Sequence, residues 1–160
     1  MVNYIKLLRV KHWIKNLLIF IPLICSGMIT GDNIVGCVIG FFAFSTMSSF
    51  IYIINDIRDI EKDKLHPVKK ERPLPSGKVK KSIAIAIAIL AIIFSIIANI
   101  LINKTLLSDS FYLLIAYMLI NLGYSFGLKN VVLLDIILLA TGFVIRVYYG
   151  ASIIGVEVSS

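Results

Sequence analysis

Residues 34–54 read IVGCVIGFFAFSTMSSFIYII, a run without a single charged side chain. A helix needs about 20 predominantly apolar residues to cross the hydrocarbon core of a bilayer. The rest of the chain shares this character, since 59% of its 160 residues are hydrophobic and its mean hydropathy is +0.94. A soluble domain of this length could not bury so much apolar surface. The sequence therefore predicts an all-α, polytopic membrane protein.

Four further apolar runs flank this one, at residues 12–30, 82–103, 111–128 and 131–156. The run that precedes it does not read as a signal peptide, because it has no small-residue cleavage site and further spans follow directly. We therefore predict five transmembrane helices that form a single domain over residues 1–160.

The distribution of lysine and arginine predicts the orientation of these helices. Fourteen of the 16 lie in the N-terminal segment, in loop 55–81 or just after residue 128, whereas Lys104 alone lies on the opposite side. Cytoplasmic segments carry such an excess, so the N-terminus and loop 55–81 are expected to face the cytoplasm from the cell membrane. The net charge of +7 belongs to these flanks, and nucleic acid is not an expected partner.

Loop 55–81 contains the candidate chemistry and begins NDIRDIEKDKLHPVKKERPLPSGK. If the preceding span continues as a helix, Asp56, Asp59 and Asp63 lie within about 60° of one another. Such carboxylates repel unless a cation lies among them, and Mg²⁺ takes a few carboxylates together with substrate phosphates. Asn55 adds an amide oxygen. We predict Asn55 and the three aspartates as Mg²⁺ ligands, and the aspartates as catalytic residues.

Basic residues follow the acidic ones within the same loop. Pro67 ends the helix, and the two prolines of residues 72–77 make a stiff turn. Lys69 and Arg72 are thereby placed to fold back on an anion held by the metal, and the planar fork of arginine suits phosphate oxygens. Carboxylates and cations so combined indicate a site for a diphosphate leaving group. The alternative is a solvated loop of mixed charge, which the one-face spacing and the rigid turn disfavour.

The last apolar run contains two charges, Asp135 and Arg146. They point to nearly the same side of a helix with a rise of about 16 Å between them, so they cannot pair with each other. A lone charge within a bilayer costs at least about 2.5–3.5 kcal/mol. Arg146 therefore needs another partner or a water-filled cavity, and we predict both residues to bind substrate. The alternative is an arginine paired with a carboxylate of another helix for packing.

The pattern N-D-x-x-D-x-x-x-D over residues 55–63, followed by R-P-L-P-S-G over 72–77, resembles the first aspartate-rich motif of the UbiA superfamily of membrane prenyltransferases. The resemblance implies a helical bundle, typically of nine spans, in which Mg²⁺ holds a diphosphate donor at a cytoplasm-facing cavity. The family's enzymes run to about twice this length. We therefore expect the N-terminal portion of such a transferase, with five of the nine spans and a C-terminal half as a partner.

Other segments are similar to one branch, the decaprenyl-phosphate phosphoribosyltransferases. They are R-V-K-H-W-I-K-N over 9–16, D-x-x-H-P-x-K-x-x-R-P over 63–73, Y-S-x-x-L-K over 124–129, L-D over 134–135 and G-F-x-x-R-x-x-x-G-A over 142–151. In that branch the donor is phosphoribosyl pyrophosphate and the acceptor is a polyprenyl phosphate. The resemblance implies substrate-binding roles for nine residues: Lys15, Asn16, Asn55, Lys69, Arg72, Tyr124, Lys129, Asp135 and Arg146.

The sequence thus predicts Mg²⁺-dependent transfer of phosphoribosyl from phosphoribosyl pyrophosphate to a membrane lipid, a polyprenyl phosphate. A first alternative is transfer of a prenyl group from a prenyl diphosphate to an aromatic acceptor. A second is an inactive truncated fragment or a membrane scaffold. Lys15, Tyr124 and Lys129 are, on position alone, equally interpretable as interface anchors.

Overall fold

A computed structural model describes residues 2–125 and 132–157, without the side chains of 132–135, and every regular element in these ranges is helical. Seven segments are α-helices: α1 Val2–Leu8, α2 Ile21–Ser26, α3 Gly31–Arg58, α4 Ile60–Lys64, α5 Lys81–Asn103, α6 Asp109–Ser125 and α7 Val132–Ile154. A 3₁₀ helix, Val10–Phe20, joins α1 to α2, and a 3₁₀ turn, Lys69–Glu71, lies in the loop before α5.

Three helices in the described ranges are long and apolar enough to cross a membrane. They are Gly31–Arg58, Lys81–Asn103 and residues Ile136–Ile154 of α7, with mean hydropathies of 2.0, 3.0 and 1.7. The fourth predicted span corresponds to α6, which has 17 residues, and its predicted continuation over 126–128 lies outside the described residues. The structure is therefore a multi-pass membrane helical bundle with three clear spans.

The prediction of one continuous helix over residues 12–30 is wrong. The segment is a 3₁₀ helix up to Phe20 and an α-helix from Ile21 to Ser26, and Gly27, with a φ of 69°, ends it. Residues three apart lie above one another in a 3₁₀ helix. Trp13, Asn16 and Ile19 follow this spacing. The first two donate hydrogen bonds to serines of α3, and Ile19 is fully buried. Tertiary contacts made by every third residue thus account for the 3₁₀ conformation of this segment.

Close helix packing surrounds the 3₁₀ helix and α7. A Cβ atom added to Gly150 would lie 2.0 Å from the carbonyl oxygen of Ile19, so only glycine allows this approach of the two backbones. Phe44, Tyr117 and Tyr149 form the aromatic centre of the core beside this crossing. The packing holds the 3₁₀ helix, α3, α6 and α7 in fixed relation.

Candidate active site

The acidic residues lie where α3 passes into α4. The NH of Asp59 donates to the carbonyl of Asn55 at 3.0 Å, and the NH of Asp63 donates to the carbonyl of Asp59 at 2.8 Å. The helical hydrogen-bond pattern therefore crosses the interruption at Asp59, and Asn55, Asp59 and Asp63 occupy successive turns.

Arg72 joins two of the aspartates. Its Nη1 atom lies 3.3 Å from Oδ1 of Asp56 and 2.8 Å from Oδ2 of Asp63, and the two carboxylate side chains are only 5% and 3% exposed. Residues seven apart on an α-helix differ by about 20° in direction, which explains why these two meet at one cation. Arg9 Nη2 contacts Oδ1 of Asp56 at 2.6 Å, and Lys69 Nζ lies 3.9 Å from Oδ1 of Asp63. Lys69 and Arg72 thus fold back on carboxylates.

Asp59 faces a different cation. Its two carboxylate oxygens accept hydrogen bonds from Nε and Nη2 of Arg58 at 3.1 and 3.2 Å, and its side chain is 30% exposed. Arg58 also donates to the carbonyl of Ser125 at the end of α6. Among the described residues no group of three or more His, Cys, Asp or Glu side chains is arranged to hold a metal ion. The three predicted aspartate ligands are therefore only partly brought together.

The donor set nevertheless fits Mg²⁺. The candidate ligands are carboxylate oxygens, and Mg²⁺ is commonly bound by one or two carboxylates with the remaining positions filled by substrate phosphates and water. Two carboxylates already lie within 3.3 Å of a single nitrogen of Arg72, so they are close enough together to serve one cationic centre.

The turn after Arg72 holds this arginine in place. The amide and the Oγ of Ser76 both donate to the carbonyl of Arg72, at 3.0 and 2.6 Å. Gly77 adopts a φ of 72°, which favours glycine, and the flanking Leu74 and Val79 are buried against α3 and α5. The rigid turn therefore anchors the Arg72 side chain to the bundle.

Arg146 lies in a second, buried polar group. It is 7% exposed, and its guanidinium donates to Asn16 Oδ1 at 2.8 Å, to the hydroxyl of Tyr117 at 3.0 Å and to the carbonyl of Gly142. It also lies 5.0–5.7 Å from the ring centroids of Tyr117, Phe44 and Phe143, within range of cation–π attraction. No Asp or Glu whose side chain the structure describes forms an ion pair with it. Neutral oxygens and aromatic faces therefore surround the guanidinium.

The remaining predicted site residues divide into two groups. Lys15 is exposed, with its Nζ 6.0 Å from the ring centroid of Phe143, and Asn55 and Tyr124 are half-buried. Lys129 lies outside the described residues, as does the side chain of Asp135. The predicted roles of Lys129 and Asp135 therefore stay predictions.

The chain is similar to several known proteins. Residues 18–160 match the UbiA prenyltransferase family. The chain belongs to this family. Decaprenyl-phosphate phosphoribosyltransferase from Corynebacterium glutamicum is 33% identical over 158 residues, which make up 97% of this chain and 47% of that protein. The protein of the same name from Mycolicibacterium smegmatis is 35% identical over 151 residues, 91% of this chain and 46% of that protein.

The chain spans about half the length of these curated relatives. A solved structure concerned with digeranylgeranylglyceryl phosphate synthase in membranes superposes with a TM-score of 0.78 at 23% identity. The superposition covers 94% of this chain and 52% of that one, and it shows that the UbiA fold is shared.

Within this UbiA chain, sequence reasoning missed two site residues. Arg9 was counted only as a topology signal, although it opens the 9–16 motif, and it pairs with Asp56 across 47 positions. Tyr117 belongs to no recognisable sequence motif. Its hydroxyl lies beside Arg146 because α6 packs against α7. Contacts between residues so far apart follow from helix packing, which no local pattern records.

Substituting Arg146 with Lys is expected to lower the free energy of unfolding by about 1–3 kcal/mol, because one ammonium cannot reproduce the three hydrogen bonds of the guanidinium. Thermal unfolding of the protein in detergent measures the change. Combining Arg146→Lys with Asn16→Ala should cost less than the sum of the single changes, since both remove the same contact. Strict additivity would contradict the coupling.

Proposed function

We propose that this chain carries the donor site of a Mg²⁺-dependent membrane transferase, which moves phosphoribosyl from phosphoribosyl pyrophosphate to a polyprenyl phosphate. The observation that carries the proposal is the bridge from Arg72 to Asp56 and Asp63, which brings carboxylates and a phosphate-binding cation to one point. The names of the two phosphoribosyltransferases, which match more than nine-tenths of the chain, support this donor and this class of acceptor.

In this proposal Asp56, Asp59 and Asp63 would hold Mg²⁺, and Asn55 would offer an amide oxygen one turn before Asp59. Asp56 is almost fully buried and also binds both Arg9 and Arg72, so it orients the two guanidinium groups as well. Bound Mg²⁺ supplies Lewis-acid neutralisation of the departing diphosphate.

The cations of the loop act on the donor itself. Arg72 and Lys69 contact carboxylates, and the diphosphate oxygens of a bound donor would compete for them. The bond from ribose C1 to the diphosphate oxygen breaks, and its electrons leave with the diphosphate, whose charge these side chains stabilise. A phosphate oxygen of the acceptor forms the new bond to C1. Because the acceptor is already ionised, it needs no general base.

The membrane arrangement forms part of the same proposal. Residues 10–26 cover about 31 Å if the 3₁₀ helix and α2 are collinear, enough to cross the hydrocarbon core as a fourth segment. With α6 the chain would supply five spans of a nine-helix bundle, and loop 55–81 would face the cytoplasm. Arg146, Asn16 and Asp135 would then bind the substrate from within the membrane.

An alternative function is transfer of a prenyl group from a prenyl diphosphate to an aromatic acceptor. The fold is shared with a digeranylgeranylglyceryl phosphate synthase, and the same carboxylates and cations would serve any diphosphate donor, which supports a prenyl donor but no particular acceptor. A scaffold without activity is the remaining alternative.

Direct binding separates these functions. The purified protein in detergent, with Mg²⁺, is titrated with phosphoribosyl pyrophosphate and separately with geranyl diphosphate. We expect the phosphoribosyl donor to bind at least about tenfold more tightly, a difference of about 1.4 kcal/mol, and only when Mg²⁺ is present. Tighter binding of geranyl diphosphate would favour prenyl transfer, and binding of neither would favour the scaffold.

A further inference from the structure

A cleft of about 430 Å³ adjoins the acidic residues. One wall comes from the N-terminal segment, residues 5, 6 and 9–12, and the other from residues 68, 69 and 71–73 of the loop, with Asp56 also in the lining. Two segments more than fifty positions apart in sequence therefore enclose one space next to the proposed diphosphate site.

The lining of this cleft has an excess of positive charge. Its basic residues are Lys6, Arg9, Lys11, Lys69 and Arg72, and its acidic residues are Asp56 and Glu71. Arg9 and Arg72 share the carboxylate of Asp56, while Glu71 lies 3.7 Å from Lys78, which is outside the cleft. Neither Lys6 nor Lys11 forms an ion pair within the described ranges. Cations that converge in this way attract an anionic group.

Arg9 occupies an unusual backbone conformation at the edge of the cleft. Its φ of 52° and ψ of 42° lie in the left-handed region, where α1 ends and the 3₁₀ helix begins. A non-glycine residue keeps this conformation only when the contacts around it hold it there, and such sites often have functional roles. The guanidinium lies 4.7 Å from the ring centroid of Tyr52 and 2.6 Å from Asp56 Oδ1. The sharp bend thus turns the chain between Lys6 and Lys11 while Arg9 stays attached to α3.

We propose that this cleft binds a phosphate monoester, the second anionic end of a donor whose diphosphate lies at Asp59 and Asp63. The inference rests on the proposed function and specifies its donor. Three ion pairs connect the diphosphate site to the cleft. They join Asp63 to Arg72, Arg72 to Asp56, and Asp56 to Arg9. Phosphoribosyl pyrophosphate is charged at both ends. A prenyl diphosphate has one charged end and would leave Lys6 and Lys11 without an anion, so the cleft selects the phosphoribosyl donor.

The double substitution Lys6→Gln with Lys11→Gln tests this role. Both side chains are exposed and line the cleft, so the fold should tolerate the change. With Mg²⁺ present, the affinities for phosphoribosyl pyrophosphate and for ribose 5-phosphate should each fall about tenfold or more, because charge-assisted hydrogen bonds are lost. The affinity for inorganic pyrophosphate should stay within about twofold. The charge-preserving pair Lys6→Arg with Lys11→Arg should restore binding.

The matched control is Lys62→Gln with Lys70→Gln. It removes the same charge from exposed positions of the neighbouring loop that do not line the cleft. It should leave the affinities for all three ligands nearly unchanged. Equal weakening of all ligands by both pairs would show only a long-range charge effect and would overturn the inference.

Two further results would also overturn it. If geranyl phosphate, and not ribose 5-phosphate, loses affinity in the Lys6→Gln, Lys11→Gln protein, the cleft takes the phosphate of the lipid acceptor. If the unaltered protein binds pyrophosphate and phosphoribosyl pyrophosphate with Mg²⁺ but the double substitution has no selective effect, the inference fails and the proposed function stands. Failure of the unaltered protein to bind either ligand removes the proposed function itself.

Discussion

Replacing Asp63 with Asn is expected to weaken Mg²⁺-dependent binding of pyrophosphate by about a hundredfold or more. The carboxylate is almost fully buried and contacts Arg72 at 2.8 Å and Lys69 at 3.9 Å. Its loss removes an oxygen ligand, leaves Lys69 without this carboxylate and leaves Arg72 with Asp56. Even residues that only support a metal ligand typically contribute 10–100-fold to metal affinity, so a ligand should contribute at least about as much. Calorimetric titration of pyrophosphate at several Mg²⁺ concentrations measures the loss.

Glu61→Gln provides the control for this change. Glu61 lies on the same short helix, α4, and the substitution removes one negative charge. Its side chain is 84% exposed and, among the residues that the structure describes, forms an ion pair with Lys64 alone, at 2.8 Å. Its affinity for pyrophosphate should remain within about twofold of the unaltered protein. Asp59→Asn should resemble Asp63→Asn and abolish metal-dependent turnover in a full-length enzyme. Normal binding by Asp63→Asn, or normal turnover with Asp59→Asn, would rule out the proposed metal site.

Gly150→Ala is expected to destabilise the bundle by about 1–3 kcal/mol or more, the range for overpacking a close contact. The added Cβ would lie 2.0 Å from the carbonyl oxygen of Ile19, 2.8 Å from its carbonyl carbon and 3.1 Å from its Cα. All three are backbone atoms, so no side-chain rotation relieves the clash, and α7 must move away from the 3₁₀ helix. Because Asn16 and Arg146 lie one turn away on the same two elements, their hydrogen bond should weaken as well.

Gly31→Ala is the matched control for helix packing. Gly31 opens α3, and an added Cβ there meets no atom within 4 Å. Its effect on the thermal unfolding midpoint in detergent should be small, because substitutions away from contacts usually change stability by less than about 0.5 kcal/mol. An equal midpoint for Gly150→Ala and Gly31→Ala would contradict the close approach of α7 to the 3₁₀ helix.

Local features of the fold and site were predictable from the sequence. The charge-free run at 34–54 predicted α3 correctly, because hydropathy and helix length are properties of consecutive residues. The stiff turn at 72–77 followed from its two prolines. The helical period placed Asp56 and Asp63 in nearly the same direction, and the structure brings them to one cation.

Hydropathy failed where tertiary contacts choose the conformation. Residues 12–30 are as apolar as a transmembrane helix, yet Trp13, Asn16 and Ile19 meet their partners at a spacing of three, and the chain is a 3₁₀ helix there. Hydropathy does not distinguish a period of 3.0 from one of 3.6 when most positions are apolar.

By itself, the sequence determined a membrane helical bundle of the UbiA family and the loop in which its acidic and basic residues lie. Only the tertiary structure decided which of these residues meet. Arg9 reaches Asp56 across 47 positions, and Arg146 reaches Asn16 across 130. The reason is physical. Hydropathy, period and turn chemistry act between near neighbours in the chain, whereas these pairings depend on how closely distant helices approach, which a few glycines and buried side chains control.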